Sequence, residues 1–384
     1  MGFRSTILIR PYPITTVPGS IPRIILPVFC TPPCIFTRLM KLSRFSKIFL
    51  RYLPGPLLMV VLCWIIWLQL GKQDNLELLP SLLEKAVQGS GLLLLIGIFL
   101  LMLLNWLIES IKWKIAIASV QTISLFRAFK AVLSGLSFSV SLPNRIGEYV
   151  GRVLYLDPSH RVAAISVTVV SSFSQLIVTV AMGLVGWIAA LPVLTTQQPW
   201  LANLWWWVLL VIGFLLLVLL LLYFKVSNLY AWLQQRLLYP TSAWSLRFKK
   251  WLEALETCTP YVLRTLLSLS LLRYGIFLVQ YFMAYQLFLV PLSGMDLFVT
   301  VSLSFLTLAV VPTFAIAEIG LRGAVGIWIA GWFVGASAGV DGSTAGILLT
   351  AMLIWITNLI LPALVGALLM TGVRNLFNIR DEAE

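Results

Sequence analysis

Two short stretches carry the residues best placed to do chemistry. SLPNRIGEYVGR, residues 141–152, sets Arg145, Glu148 and Arg152 within eight residues of one another. VVPTFAIAEIGLRG, residues 310–323, again runs from a proline to a glutamate and then to an arginine four positions on, Glu318 and Arg322. On a helix that spacing puts acid and base on one face, one turn apart, with the acid on the favourable N-terminal side. Arginine takes phosphate oxygens bidentately, and a carboxylate beside it either holds the arginine in place or meets an amine. Arg145 has no counterpart in the second stretch and is a further phosphate candidate. Arg273 and Gln280 lie about two turns apart on one face of an apolar run, beside Tyr274 and Tyr281, and are expected to face the same cavity. Asn105, Glu109 and Lys112 line one side of the end of another run. Structural readings stand beside these functional ones. Buried ion pairs often only break even in free energy, Arg145 can snorkel to an interface, and Glu109 and Lys112 are equally readable as interfacial residues.

These charges are costly because of what surrounds them. The chain has 384 residues, 60% hydrophobic and only 11% charged, with a mean hydropathy of +0.97, whereas a soluble domain carries about a quarter charged residues. This is the composition of an all-α polytopic membrane protein. The net charge of +13 is spread through short loops between apolar runs, which is orientation by the positive-inside rule and not a nucleic-acid surface. Four cysteines (Cys30, Cys34, Cys63, Cys258) form no paired framework, and the single histidine, His160, cannot build a His-based metal site. No cofactor, metal or catalytic residue is expected, and no phosphate-binding glycine loop suggests ATP hydrolysis.

The elements that position the charges follow from run lengths. Crossing about 30 Å of hydrocarbon takes roughly 20 helical residues, and six runs are long enough: 54–71, 89–109, 162–191, 203–224, 262–290 and 343–371. Basic residues place the start of the chain, residues 112–130 and residues 225–250 on the cytoplasmic side, and the loops near 72–88, 192–202 and 291–296 outside. Two further regions, 131–156 and 297–337, are each broken in the middle by proline and charge and must begin and end on one side. The 12 apolar residues before Pro143 are too few to cross. Each broken region is therefore either a re-entrant helical hairpin or a pair of short full spans; length favours the hairpin, its tip surrounded by protein. The halves, 54–191 and 203–371, each read span, span, hairpin, span in opposite orientations, an inverted-repeat arrangement whose broken helices meet near the midplane. Residues 1–39, rich in proline and arginine, make a poor signal peptide and are expected to be disordered, with Met40 as an alternative start. The LWWWVLL run at 204–210 reads as an interfacial aromatic belt.

LNWLIESIKWK (104–114), SLPNRIGEYVGR, LLRYGIFLVQY (271–281) and VPTFAIAEIGLRG together resemble the transmembrane domain of lysylphosphatidylglycerol synthases and the stand-alone flippase-like proteins related to it. The resemblance covers about 54–372, within a transmembrane domain read as 40–372 and a short cytoplasmic tail at 373–384. It implies movement of a phospholipid or glycolipid between leaflets of a bacterial inner membrane, both termini cytoplasmic, with the lipid made by a separate enzyme. The full synthases carry a large soluble domain for which the chain's end at 384 leaves no room. A groove lined by arginine and glutamate would replace the headgroup's lost hydration while the acyl chains stay in lipid. An intramembrane lipid-modifying enzyme and an accessory scaffold for envelope biogenesis are the alternatives. Under the transport reading, Glu148→Gln and Glu318→Gln should fail alike.

Overall fold

The computed structural model describes residues 84, 86–141, 146–225, 258–311, 315–334 and 340–371, without the side chains of 141, 146, 315–317, 340–342 and 371. All fall in the unit Leu50–Glu384. Residues 1–39, the span at 54–71, Pro143, Arg145, Pro312, nearly all of the basic stretch 225–250, and the tail 373–384 lie outside the described residues.

Every regular element among the described residues is helical, as hydrocarbon demands of a backbone that must satisfy its own N–H and C=O groups. Helix α1 is Ser90–Ile117, α2 Leu125–Ser141 and α3 Ile146–Val153. A 3₁₀ turn at Pro158–His160 leads into α4, Arg161–Ala189, and the short α5, Leu191–Gln197, precedes α6, Pro199–Phe224. Then come α7 (Pro260–Leu287), α8 (Gly294–Val310), α9 (Ala315–Val334) and α10 (Val340–Trp355), which passes through a π-helical turn, Ile356–Ile360, into α11, Leu361–Thr371. Local chemistry sets several of these starts. Thr259 accepts a hydrogen bond from the Val262 N–H (3.4 Å), with Pro260 at the first helical position of α7. Ser293 and Asp296 form a capping box at α8.

Among the described residues five segments are long and apolar enough to span a membrane: Ser90–Ile117, Pro158–Ala189, Pro199–Phe224, Pro260–Leu287 and Ser343–Met370. They coincide with five of the six expected runs. On α6, Trp206 and Trp207 face outward as a belt requires, but Trp205 turns in. There its indole N–H donates to the Trp187 carbonyl while the Trp187 indole donates to the Trp205 carbonyl, both at 3.1 Å, clasping α4 to α6.

The first broken region folds back on itself. Helices α2 and α3 run antiparallel with their glycines face to face: a Cβ added at Gly151 would stand 2.5 Å from the Gly135 Cα, and one at Gly147 would strike the Phe138 backbone. Helix α2 is longer than its expected 12-residue arm, at 17 residues. Ser124 accepts from the Arg127 N–H (3.2 Å) and starts the helix before the apolar run begins. Helix α3 has only 8 residues, about 12 Å of rise, far short of a crossing. The second region is longer in both arms, with 17 residues in α8 and 20 in α9, so length does not bar α9 from crossing as it bars α3.

The two halves exchange contacts. Helix α2 packs on α11, α8 packs on α4, and α1 meets α7. Small residues permit the close approaches: a Cβ at Gly183 or Gly186 of α4 would come within 2.8 Å of Leu306 or 2.9 Å of Ser302 on α8. Polar side chains join the same seams, Ser174 with Ser270 (2.8 Å) between α4 and α7, and Tyr274 donating to Ser302 (2.8 Å) between α7 and α8.

Candidate functional site

A cavity of about 600 Å³ opens among these helices. Both broken regions line it: Ser139, Glu148 and Arg152 from the first, Val310, Val311, Glu318 and Arg322 from the second. Residues from both sides of the two breaks thus line one space.

Glu109 is the hub. Its Oε1 accepts from Arg152 Nη1 at 2.8 Å and its Oε2 from Arg273 Nη1, and Lys112 Nζ stands 3.7 Å from Oε2. One carboxylate on α1 therefore ties α3 to α7. Arg152, only 3% exposed, also donates through Nη2 to Glu148 Oε2 at 3.1 Å. Arg273 is fixed a second time, its Nε donating to Asn105 Oδ1 at 2.6 Å. The second pair is simpler. Arg322 donates to Glu318 Oε1 through Nη2 and through Nε (3.1 Å), and its Nη1 donates to the Tyr281 hydroxyl at 3.3 Å. Each of two guanidiniums is backed by an aromatic ring, Arg273 by Trp106 at 5.7 Å and Arg322 by Phe305 at 6.0 Å, a contact that gains strength when desolvated.

Of the residues singled out by sequence, Glu148, Arg152, Arg273, Glu318 and Arg322 line the cavity. Asn105 is buried behind it as the orienting partner of Arg273. Gln280 does not reach it. Its Nε2 donates to the Ile98 carbonyl at 3.0 Å, because the face it shares with Arg273 is closed at that level by α1, where a Cβ on Gly97 would collide with Met283 of α7. The polar stripe on α7 thus serves the cavity at one end and a helix seam at the other. Arg145 lies outside the described residues. Glu109 and Lys112 prove buried, Lys112 to 1% exposure. Their signal was an acid and a base three residues apart, following Asn105 on the same face.

The lining also includes polar residues that the sequence reading did not single out, among them Gln175 and Thr179 on α4 and Asn358 in the π turn. That turn has a cause. Pro362 has no N–H for the Asn358 carbonyl and would crowd it, and the helix widens, the Leu361 N–H donating instead to Ile356.

Among the described residues four cations (Lys112, Arg152, Arg273, Arg322) and three carboxylates (Glu109, Glu148, Glu318) line the space, a formal excess of one positive charge among them. Lys112 is the least committed, its single ion-pair contact among the described residues being the 3.7 Å approach to Glu109. Among the described residues no group of three or more histidine, cysteine or acidic side chains could hold a metal.

Long apolar helices around a buried, ion-paired cavity define a multi-pass membrane protein. Residues 55–366 match the family described as the lysylphosphatidylglycerol synthase TM region, and with most of its length matched the chain belongs to that family. No match was found among curated proteins or among solved structures.

Proposed function

We propose that the chain moves a polar, phosphate-bearing lipid between the leaflets of a bacterial inner membrane. The observation that carries this is the cavity itself: a space of about 600 Å³ inside a membrane-spanning bundle, with one more cation than carboxylate among its described lining residues and with both broken regions on its wall. A phosphodiester carries one negative charge and completes that balance. Its transfer through hydrocarbon fails because its oxygens lose their water; Lys112 and Arg152 replace that water with charge-assisted donors. Glu109, Glu148 and Glu318 keep the arginines extended while the site is empty, so the headgroup competes for guanidiniums already held in place.

The architecture proposed for this step is six spans with two re-entrant hairpins in an inverted repeat, both termini cytoplasmic. Three findings support it: the 8-residue α3, the reciprocal packing of α2 on α11 and α8 on α4, and the Glu-Arg pair near the start of each second arm. A lipid from a separate synthesising enzyme would be the cargo.

Proteoliposomes with acyl-labelled fluorescent phospholipids and an impermeant quencher test this. Wild-type protein should move label between leaflets, and Lys112→Met should slow it at least about tenfold, the scale of one charge-assisted contact. Glu109 retains two arginines in that variant, so the fold should persist. Wild-type protein with no activity toward any lipid, or a folded Lys112→Met protein at the wild-type rate, would defeat the proposal.

A further inference from the structure

The last span changes partners part-way along. Before the π turn, α10 packs on α9 and α7: a Cβ at Gly323 of α9 would stand 2.7 Å from Leu348, and one at Gly346 of α10 would stand 2.7 Å from Val290, just past the end of α7. After the turn, α11 is seated on α2, where a Cβ at Gly366 would strike the Leu133 carbonyl. Ser137 donates to the Ala363 carbonyl, and Ser134 to the Gly366 carbonyl at 3.4 Å. One span thus belongs to two packed groups, α10 with α7 and α9, and α11 with the α2–α3 hairpin, and the turn Ile356–Ile360 is its join.

That join is the weak point of the span. Its hydrogen bond closes over five residues instead of four, from the Leu361 N–H to Ile356, and Pro362 offers no N–H to the next turn. Long helices bend at such places. Trp355, Asn358 and Leu359 of this region line the cavity, with Glu148 and Arg152 carried by one group and Glu318 and Arg322 by the other. Bending at the turn changes the separation of the two pairs and breaks neither, because each pair lies within a single helix. What it strains is the link from Arg152 to Glu109, since α1 also lies along α7. Arg152 has a carboxylate for that moment: Glu148, one turn away on its own helix, travels with it.

Resting on the lipid-transport reading, we propose that the π turn is a hinge on which α11 and the α2–α3 hairpin swing away from α7, α9 and α10, opening the cavity between its two Glu-Arg pairs, with Glu148 holding Arg152 while Glu109 is released. Spin-label distances in nanodiscs of phosphatidylcholine and phosphatidylglycerol, with the native cysteines replaced, test this. Exposed Leu368 of α11 and Trp328 of α9 report across the hinge; Leu368 and exposed Phe126 of α2 report within one group. The first pair should show two populations of distances and the second pair one. Deleting Thr357 together with Pro362→Ala takes the extra residue out of the turn and restores the missing N–H, so a regular α-helix runs through with both packing faces in register. That protein should fold, lose the second Leu368–Trp328 population and lose lipid movement. Glu148→Gln tests the same motion with the helix untouched. It leaves Arg152 without a carboxylate once Glu109 is released, and should deplete the population that departs from this structure. A single Leu368–Trp328 population in the wild type overturns the proposal, as do two populations for Leu368–Phe126. So does a folded, straightened protein that keeps both populations or moves lipid at the wild-type rate, and so do Glu148→Gln populations equal to those of the wild type. Distances are read without transport, so a wild-type protein that bends but moves no lipid strikes the transport proposal and leaves the hinge standing.

Discussion

Three glutamates hold the arginines of the cavity, and their partners rank them. Glu109→Gln withdraws the carboxylate shared by Arg152, Arg273 and Lys112, and breaking such a buried network costs about 3–5 kcal/mol. Glu318→Gln takes from Arg322 its one carboxylate contact among the described residues. Glu148→Gln should cost about 1 kcal/mol or less, because Arg152 keeps Glu109 and the Glu148 side chain is 17% exposed at the cavity. Thermal unfolding in one detergent should therefore order the melting temperatures Glu148→Gln, Glu318→Gln, Glu109→Gln from highest to lowest. A Glu148→Gln protein as unstable as Glu109→Gln would refute the ranking. Twin sequence spacing implied equal partners for the two pairs, and the third carboxylate, supplied from α1, breaks that equality. The Glu-Arg pairs were legible because both members share one helix. The Glu109–Arg273 link was not, since it joins residues 164 positions apart and sequence periodicity speaks only within an element.

At the scale of elements, the α2–α3 hairpin depends on glycine at the contact. Gly151→Val places side-chain carbons where the Gly135 backbone already stands, and overpacking of this kind costs about 1–3 kcal/mol. Spin labels on exposed Phe126 of α2 and Val150 of α3 should report a wider and broader distance distribution in that variant; an unchanged distribution would show that the hairpin closes by other means. The same pair shows how far local reading goes. Proline and charge located the break, but hydropathy missed the first turn of α2, because a polar cap and two basic residues precede the apolar run. The π turn was also hidden: Pro362 announces a lost hydrogen bond, yet whether a helix kinks, ends or widens there depends on what packs around it. Gln280 was misplaced for a related reason. A face can be read from spacing, but whether that face meets a cavity or a neighbouring helix cannot.

For the whole molecule, hydropathy and loop charge gave the five described spans and an expected orientation. Thr122, exposed between α1 and α2, should lie in the cytoplasm, and Gly294, exposed at the start of α8 with open space for a side chain, should lie outside. With the native cysteines replaced, an impermeant maleimide added to intact cells should label Gly294→Cys and spare Thr122→Cys until the membrane is opened. The reverse pattern would invert the topology. One feature of the packing then bears on how such a chain is built at all. Because α2 lies on α11 and α8 on α4, each half leans on a helix that belongs to the other, and neither owns a complete set of neighbours. The unit of assembly is thus the couple: a first half inserted alone waits, with its hairpin unmated, until the second is made.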